Sequence, residues 1–212
     1  MQQLAIGTEL QGGKYKILQV LGQGGFGITY LAEHTLLERK VAIKEFFFKD
    51  YCVRKDNATT IDLTTSSSSE LVERFMNKFV KEAKTISKLK HPNIIGIYDL
   101  FKENNTAYYV MEYVDGFSLE KMVKASGVLS EQKAIQYIKQ VAEAIAYLHE
   151  RNINHLDIKP ANIMIQDSDG IVRLIDFGLS KQYDIQGSQT STTPVGISHG
   201  YEIGRASCRE RV

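Results

Sequence analysis

His155-Leu156-Asp157-Ile158-Lys159-Pro160-Ala161-Asn162 places a carboxylate, an amine and an amide within six residues, and Asp176-Phe177-Gly178 follows fourteen positions after Asn162. Together the two segments hold a base, a cation able to meet a phosphate, and two oxygen donors suited to a hard metal. Magnesium favours such oxygen ligands and commonly shares them with substrate phosphates.

Upstream of this stretch, Ser130 is a good N-cap, and the apolar positions Ala134, Ile135, Ile138, Val141, Ala142, Ile145 and Leu148 predict one buried helical stripe delivering the chain to His155. Downstream, residues 163–165 and 171–175 read as a short hairpin leading into Asp176. Nearer the start, Tyr15 to Leu21 alternates apolar and polar residues as a half-buried strand does. Gly22-Gln23-Gly24-Gly25-Phe26-Gly27 then turns the chain, and glycines there let backbone amides approach phosphate oxygens. A dinucleotide-binding loop shares this pattern but must open a helix. Here Ile28-Thr29-Tyr30-Leu31 follows, β-branched and aromatic, which predicts strand, loop, strand.

Val41-Ala42-Ile43-Lys44 predicts a third strand. Between Lys44 and the next helix lies an insertion, residues 45–70, longer than a compact connection requires. It carries Phe46-Phe47-Phe48, read as core packing rather than a docking patch, and a small hairpin around Asp56-Asn57. From Glu70, the residues Leu71, Phe75, Phe79, Ala83, Ile86 and Leu89 trace a helical face, with Glu82 on the same helix. Residues 94–101 and 106–113 read as strands joined at Glu103-Asn104-Asn105, the second ending in Met111-Glu112-Tyr113-Val114.

In this order, the glycine loop, the Val-Ala-Ile-Lys strand, the helix glutamate, the His-x-Asp-x-Lys-Pro-x-x-Asn loop and Asp-Phe-Gly resemble the protein kinases. The wording is most similar to the eukaryotic-type (Hanks-type) serine/threonine protein kinases of bacteria. The resemblance implies an α+β, bilobal fold: a β-rich N-lobe with one main helix, followed by the incomplete start of a helical C-lobe. It divides the chain into an N-terminal extension (1–14), the N-lobe (15–113) and a partial C-lobe (114–201).

The same resemblance implies the site. Asp157 would orient or accept the substrate hydroxyl proton, Lys159 would steady the γ-phosphate, and Asn162 and Asp176 would hold Mg2+. Lys44, gripped by Glu82, would align the nucleotide. Gly22, Gly24, Gly25 and Gly27 would cover the phosphates of ATP. Thr29, where the family usually has valine, would line the adenine pocket with Ala42 and Met111, and backbone groups of Glu112 and Val114 would bond the base. His155 reads as a packed structural histidine. Leu156 stands where many kinases carry an arginine that binds a phosphate on the activation loop. Phosphorylation at Thr192 or Thr193 is therefore expected to matter less for switching.

The expected partners are ATP and a protein substrate offering serine or threonine. A formal net charge of +1 gives no reason to propose nucleic acid or an acidic membrane. Cys52 and Cys208 form no disulfide framework, and the start lacks the pattern of a signal peptide. No apolar run is long enough to span a bilayer, so a cytoplasmic location is expected, with an anchor further downstream left open.

After Tyr201, the residues Glu202 to Val212 carry neither the proline nor the helical stripe of the family; they read as the translation of a sequencing adapter, a non-native tail. The chain as it stands is then a fragment expected to show little turnover without the remaining helices. Two other readings compete. One is a pseudokinase or nucleotide-binding module, opposed by intact Lys44, Asp157, Asn162 and Asp176. The other is a small-molecule phosphotransferase, opposed by the Asp-Phe-Gly turn and Lys159.

Overall fold

A computed structural model describes residues 2–55 and 58–177, and the backbone of 181–182. The chain separates into two compact units: Met1–Lys90 with Gly96–Tyr113, and His91–Ile95 with the chain from Val114 onward.

The first unit is built on an antiparallel sheet. Its strands are β1 (Glu9–Leu10), β2 (Tyr15–Gln23), β3 (Gly27–His34), β4 (Arg39–Phe46), β7 (Ile97–Glu103) and β8 (Thr106–Glu112). They lie in the order β1-β2-β3-β4-β8-β7. Between β4 and β7 come the small hairpin β5 (Cys52–Arg54) and β6 (Ile61–Leu63), then helix α1 (Ser69–Ile86). The hairpin was legible from its turn; residues 56–57 at its tip lie outside the described residues. The residues ahead of Tyr15, expected as an extension, supply β1 and the buried Leu4 and Leu10 to this core. Phe46, Phe47 and Phe48 are all buried there, as core packing requires.

Strand pairing sorts the side chains by face, because residues directly opposite in an antiparallel pair point the same way. Thr29 faces Lys44, and Ala42 faces Leu31 on one side and Met111 on the other. One face of the sheet therefore carries Thr29, Ala42, Lys44 and Met111. The opposite face carries Tyr30, Glu45 and Tyr108. There the fully buried Glu45 accepts from the Arg54 guanidinium and the Tyr108 hydroxyl (2.7 Å) through Oε1, and from the Tyr30 hydroxyl (2.7 Å) through Oε2. Arg54 also donates to the carbonyls of Gln2 (2.6 Å) and Thr59 (3.0 Å). One buried ion pair thus ties the N-terminal residues and the β5–β6 hairpin to the back of β4. Burial and the Glu45 carboxylate push both phenols upward, so they remain donors.

The second unit holds β9 (Gly116–Ser118), α2 (Leu119–Ser126), α3 (Glu131–His149), β10 (Ile153–Asn154), β11 (Ile163–Gln166), β12 (Val172–Leu174) and β13 (Lys181–Gln182). The order β12-β11-β9 forms one small sheet, and β10 pairs with β13. Ser118 and Ser130 cap α2 and α3, accepting from the N–H of Lys121 and Lys133. Ile94 and Ile95, expected to start a strand of the first unit, instead lie beside Leu174 here, where Ile95 N–H donates to Leu174 O and Leu174 N–H donates to Asn93 O; β7 begins at Ile97.

The expected stripe of α3 needs correction. The helix buries Tyr137, Val141, Ala144 and Leu148, while Ile135 and Ile138 are exposed by 59% and 57% and Ala142 is exposed too. α3 packs against β10 and β12 through a face rotated toward Tyr137 and Ala144. Two apolar faces lie side by side on this helix, and sequence periodicity merges them. Among the described residues, no helix is long and apolar enough to cross a membrane.

Candidate active site

In the first unit the glycine segment closes a hairpin. Gly22 pairs with Thr29 and Gln23 with Ile28, and Gly24 N–H donates to Gly27 O (2.9 Å). Gly27 must be glycine for a steric reason, since a Cβ there would sit 2.8 Å from Glu45 O and 3.6 Å from Lys44 Cε. A Cβ on Gly22 or Gly25 would meet nothing within 4 Å, so the open side of this loop has room for a ligand.

Lys44 lies on β4 with its Nζ 5.8 Å from the centre of the Tyr109 ring. That ring packs 4.9 Å from Phe79 of α1, and Phe79 also meets Phe46 at 5.7 Å. α1 therefore lies on the sheet face that carries Lys44. Glu82 is one turn beyond Phe79, with its Oε1 out of solvent. Ala42 and Met111 are paired on that face, and Met111 is half-buried. The Glu112 N–H donates to Gly96 O (2.9 Å).

In the second unit two turns come together around His155, 3% exposed. The Ile175 carbonyl, 3.1 Å away, can accept only, so His155 Nε2 donates to it. The Asp157 N–H donates to Nδ1 at 3.3 Å. Acceptance by Nδ1 needs the neutral imidazole, and burial lowers its pKa accordingly. The ring also packs 4.5 Å from Phe177. His155 is thus structural, as its sequence context suggested, and it links the Asp157 loop to the residues flanking Asp176. The Ile175 N–H adds a second link by donating to Asn162 O (3.0 Å).

Within the loop, Asn162 is 5% exposed and its Nδ2 donates to both Asp157 O and Asp157 Oδ2, each at 2.9 Å. Lys159 Nζ stands 2.9 Å from the same Oδ2. Carboxylate, amine and amide meet within one loop. Pro160 opens the short 3-10 turn Pro160–Asn162 that makes this possible, its fixed φ suiting a first helical position. Leu156 and Asp176 both hold φ of +61°, a left-handed conformation that is costly for side-chain-bearing residues and clusters at functional turns. Val114 is buried in this unit.

Because Asn162 spends its amide nitrogen on Asp157, its Oδ1 is the atom left to meet a cation. Among the described residues, no group of three or more His, Cys, Asp or Glu could hold a metal unaided. One amide oxygen and one carboxylate suit instead a hard cation that brings phosphate oxygens of its own. Gly178, Thr192, Thr193 and the expected tail, residues 202–212, lie outside the described residues.

Sequence reasoning missed two features here. Glu45, placed by the sequence reading at the start of the insertion, instead lies within β4 and is paired with Arg54, nine positions on. Phe26 reads as a loop residue; the aromatic run Phe46–Phe48 was the available signal that it has partners.

A sheet of this order with its lysine strand and packed helix, and a loop joining Asp157, Lys159 and Asn162, are features of the protein kinase fold. The chain belongs to the protein kinase domain family, which matches residues 15–201. It is 40% identical over 177 residues to the serine/threonine-protein kinase PrkC of Bacillus subtilis, covering 84% of this chain and 24% of that protein. It is 32% identical over 188 residues to PknB of Mycobacterium tuberculosis, covering 87% and 27%. The chain thus spans about a quarter of the length of these relatives. A solved structure titled "PpkA-294 apo form" superposes with a TM-score of 0.78 at 28% identity, covering 84% of this chain and 62% of that one.

Proposed function

We propose that this chain carries the catalytic residues of a serine/threonine protein kinase that transfers the γ-phosphate of ATP to protein hydroxyl groups. The observation that carries this reading is the joint engagement of Asp157 Oδ2 by Asn162 Nδ2 and Lys159 Nζ. Phosphoryl transfer asks a protein for positioning and charge more than for covalent chemistry. A base, a phosphate-binding cation and a metal-ligand amide held in one rigid loop meet that need.

In this reading Asp157 orients the substrate hydroxyl and takes up its proton, while Lys159 shifts toward the transferring phosphate. Lys159 two positions after the aspartate favours a serine/threonine rather than a tyrosine acceptor. Asn162 and Asp176 hold magnesium, which when bound neutralises charge on the phosphate oxygens. Lys44 binds the α- and β-phosphates and Glu82 aligns it. Gly22, Gly24, Gly25 and Gly27 give the loop its close approach to phosphate, Thr29, Ala42 and Met111 line the adenine, and the Glu112 carbonyl and Val114 bond the base.

The test is transfer of labelled phosphate from ATP to a generic protein by the full-length protein, followed by phosphoamino-acid analysis. Label on serine and threonine, lost with Lys44→Met, supports the reading. Label absent from protein in a folded sample that binds ATP would refute it.

A further inference from the structure

Phe26, at the tip of the glycine loop, is 50% exposed, yet its ring stands 4.7 Å from Phe48 and 5.2 Å from Phe75. Phe48 and Phe75 are themselves 5.0 Å apart, and Tyr51 packs on Phe48 at 4.6 Å. Phe48 and Tyr51 belong to the insertion and Phe75 to α1, so three separate segments meet at this ring.

The backbone repeats the attachment. Lys49 N–H donates to Gly25 O (3.0 Å) and Phe47 N–H donates to Phe26 O (3.2 Å). A planar trans peptide points its N–H opposite to its C=O. With those two carbonyls held by residues 47–49, the N–H groups of Phe26 and Gly27 turn to the other side of the loop. The insertion is itself fastened further along, through the buried Arg54–Glu45 pair.

We propose that residues 47–51, together with Phe75, form a built-in brace that positions the glycine loop through Phe26, presetting its amides for a polyphosphate. Phe26, Phe48 and Phe75 are then positioning residues. This rests on the nucleotide-binding reading above and adds to it a role for the insertion. The loop enters the binding-competent state at little ordering cost because the brace has already ordered it. Aromatic pairs attract beyond the area they bury, and losing two of them corresponds to about a tenfold drop in the docked-to-undocked ratio of the loop. A smaller competent fraction weakens apparent affinity in proportion.

The experiment uses the full-length protein with Phe26→Ala, Phe26→Tyr and Phe75→Ala. Two quantities are read: amide hydrogen exchange at residues 24–27 without ligand, and the Kd for magnesium ATP by calorimetry. Phe26→Ala and Phe75→Ala are expected to speed that exchange about fivefold or more and to raise the Kd about three- to tenfold, with kcat at saturation within about twofold. Phe26→Tyr keeps the ring and restores both. Wild-type exchange and Kd in Phe26→Ala would overturn the proposal, as would tighter ATP binding, which would mean that the contacts hold the loop away. Removing the half-exposed Phe26 spares the Phe48–Phe75 contact, so this variant carries the test even if Phe75→Ala fails to fold. Should the wild type bind no nucleotide, the kinase reading falls separately, while hydrogen exchange still reports on the brace.

Discussion

Replacing Arg54 with methionine should destabilise the first unit by about 3–5 kcal/mol, the range for breaking a buried pair by removing one partner. The geometry sets the scale. Arg54 and Glu45 have side chains 1% and 0% exposed, so neither can recover hydration where it lies. Without the guanidinium, Glu45 keeps the Tyr30 and Tyr108 hydroxyls but remains an uncompensated buried charge. The bonds to Gln2 O and Thr59 O are lost as well, at about 1 kcal/mol each if left unreplaced. Taking about 4 kcal/mol and a urea slope of about 2 kcal/mol/M, the midpoint falls by about 2 M. The chain has no tryptophan, so the transition is followed by circular dichroism or tyrosine fluorescence. The double variant Glu45→Gln with Arg54→Met is the control. Its neutral amide accepts from one tyrosine hydroxyl through its oxygen and donates to the other through its nitrogen, so at least half of the loss should return. A single variant within about 1 kcal/mol of wild type, or a double variant no better than the single, would refute the reasoning.

Two further outcomes follow from other parts of the structure. Gly116→Ala would place a Cβ 1.9 Å from Ile165 O, so β9 must part from β11; a loss of about 2 kcal/mol or more is expected by urea denaturation, against about 1 kcal/mol or less for Gly22→Ala, whose Cβ meets open space. Asp99 accepts from Lys14 (2.7 Å) and the Tyr15 hydroxyl (3.0 Å); burial tends to raise its pKa, but these bonds outweigh it and hold the carboxyl below its ordinary value. The stability it adds is therefore present above about pH 4 and lost as pH falls through the folded-state value, so Asp99→Asn should flatten that acid limb in a pH series of urea midpoints and cost about 1 kcal/mol or less at neutral pH.

Much of this was legible in the sequence because local chemistry and topology agree there. The glycine segment followed by β-branched residues could only be a hairpin, and Asp157 through Asn162 are so close along the chain that a single turn brings them together. His155 was read as structural, and two bonds to groups of fixed donor and acceptor character explain why. What sequence could not supply were contacts made by elements distant in the chain. Period-two alternation places Glu45 on the face away from Lys44, but whether that face is wet depends on a hairpin that folds back over it. In α3 two adjacent apolar faces satisfy the same periodicity, and only the packing partner decides that Tyr137 and Ala144 go inward while Ile135 and Ile138 do not. The residues before Tyr15 look like a tail until Leu4 and Leu10 find the core and Gln2 finds Arg54.

The most direct test compares the full-length protein with its Asp157→Asn variant. An asparagine there keeps the shape of the loop and an oxygen for Asn162 Nδ2, but it cannot take a proton. ATP affinity should stay within about twofold while phosphate transfer to protein falls by about a hundredfold or more, the span typical of a lost general base. A variant that transfers phosphate as fast as wild type would contradict the assignment of Asp157, and with it the reading of the site.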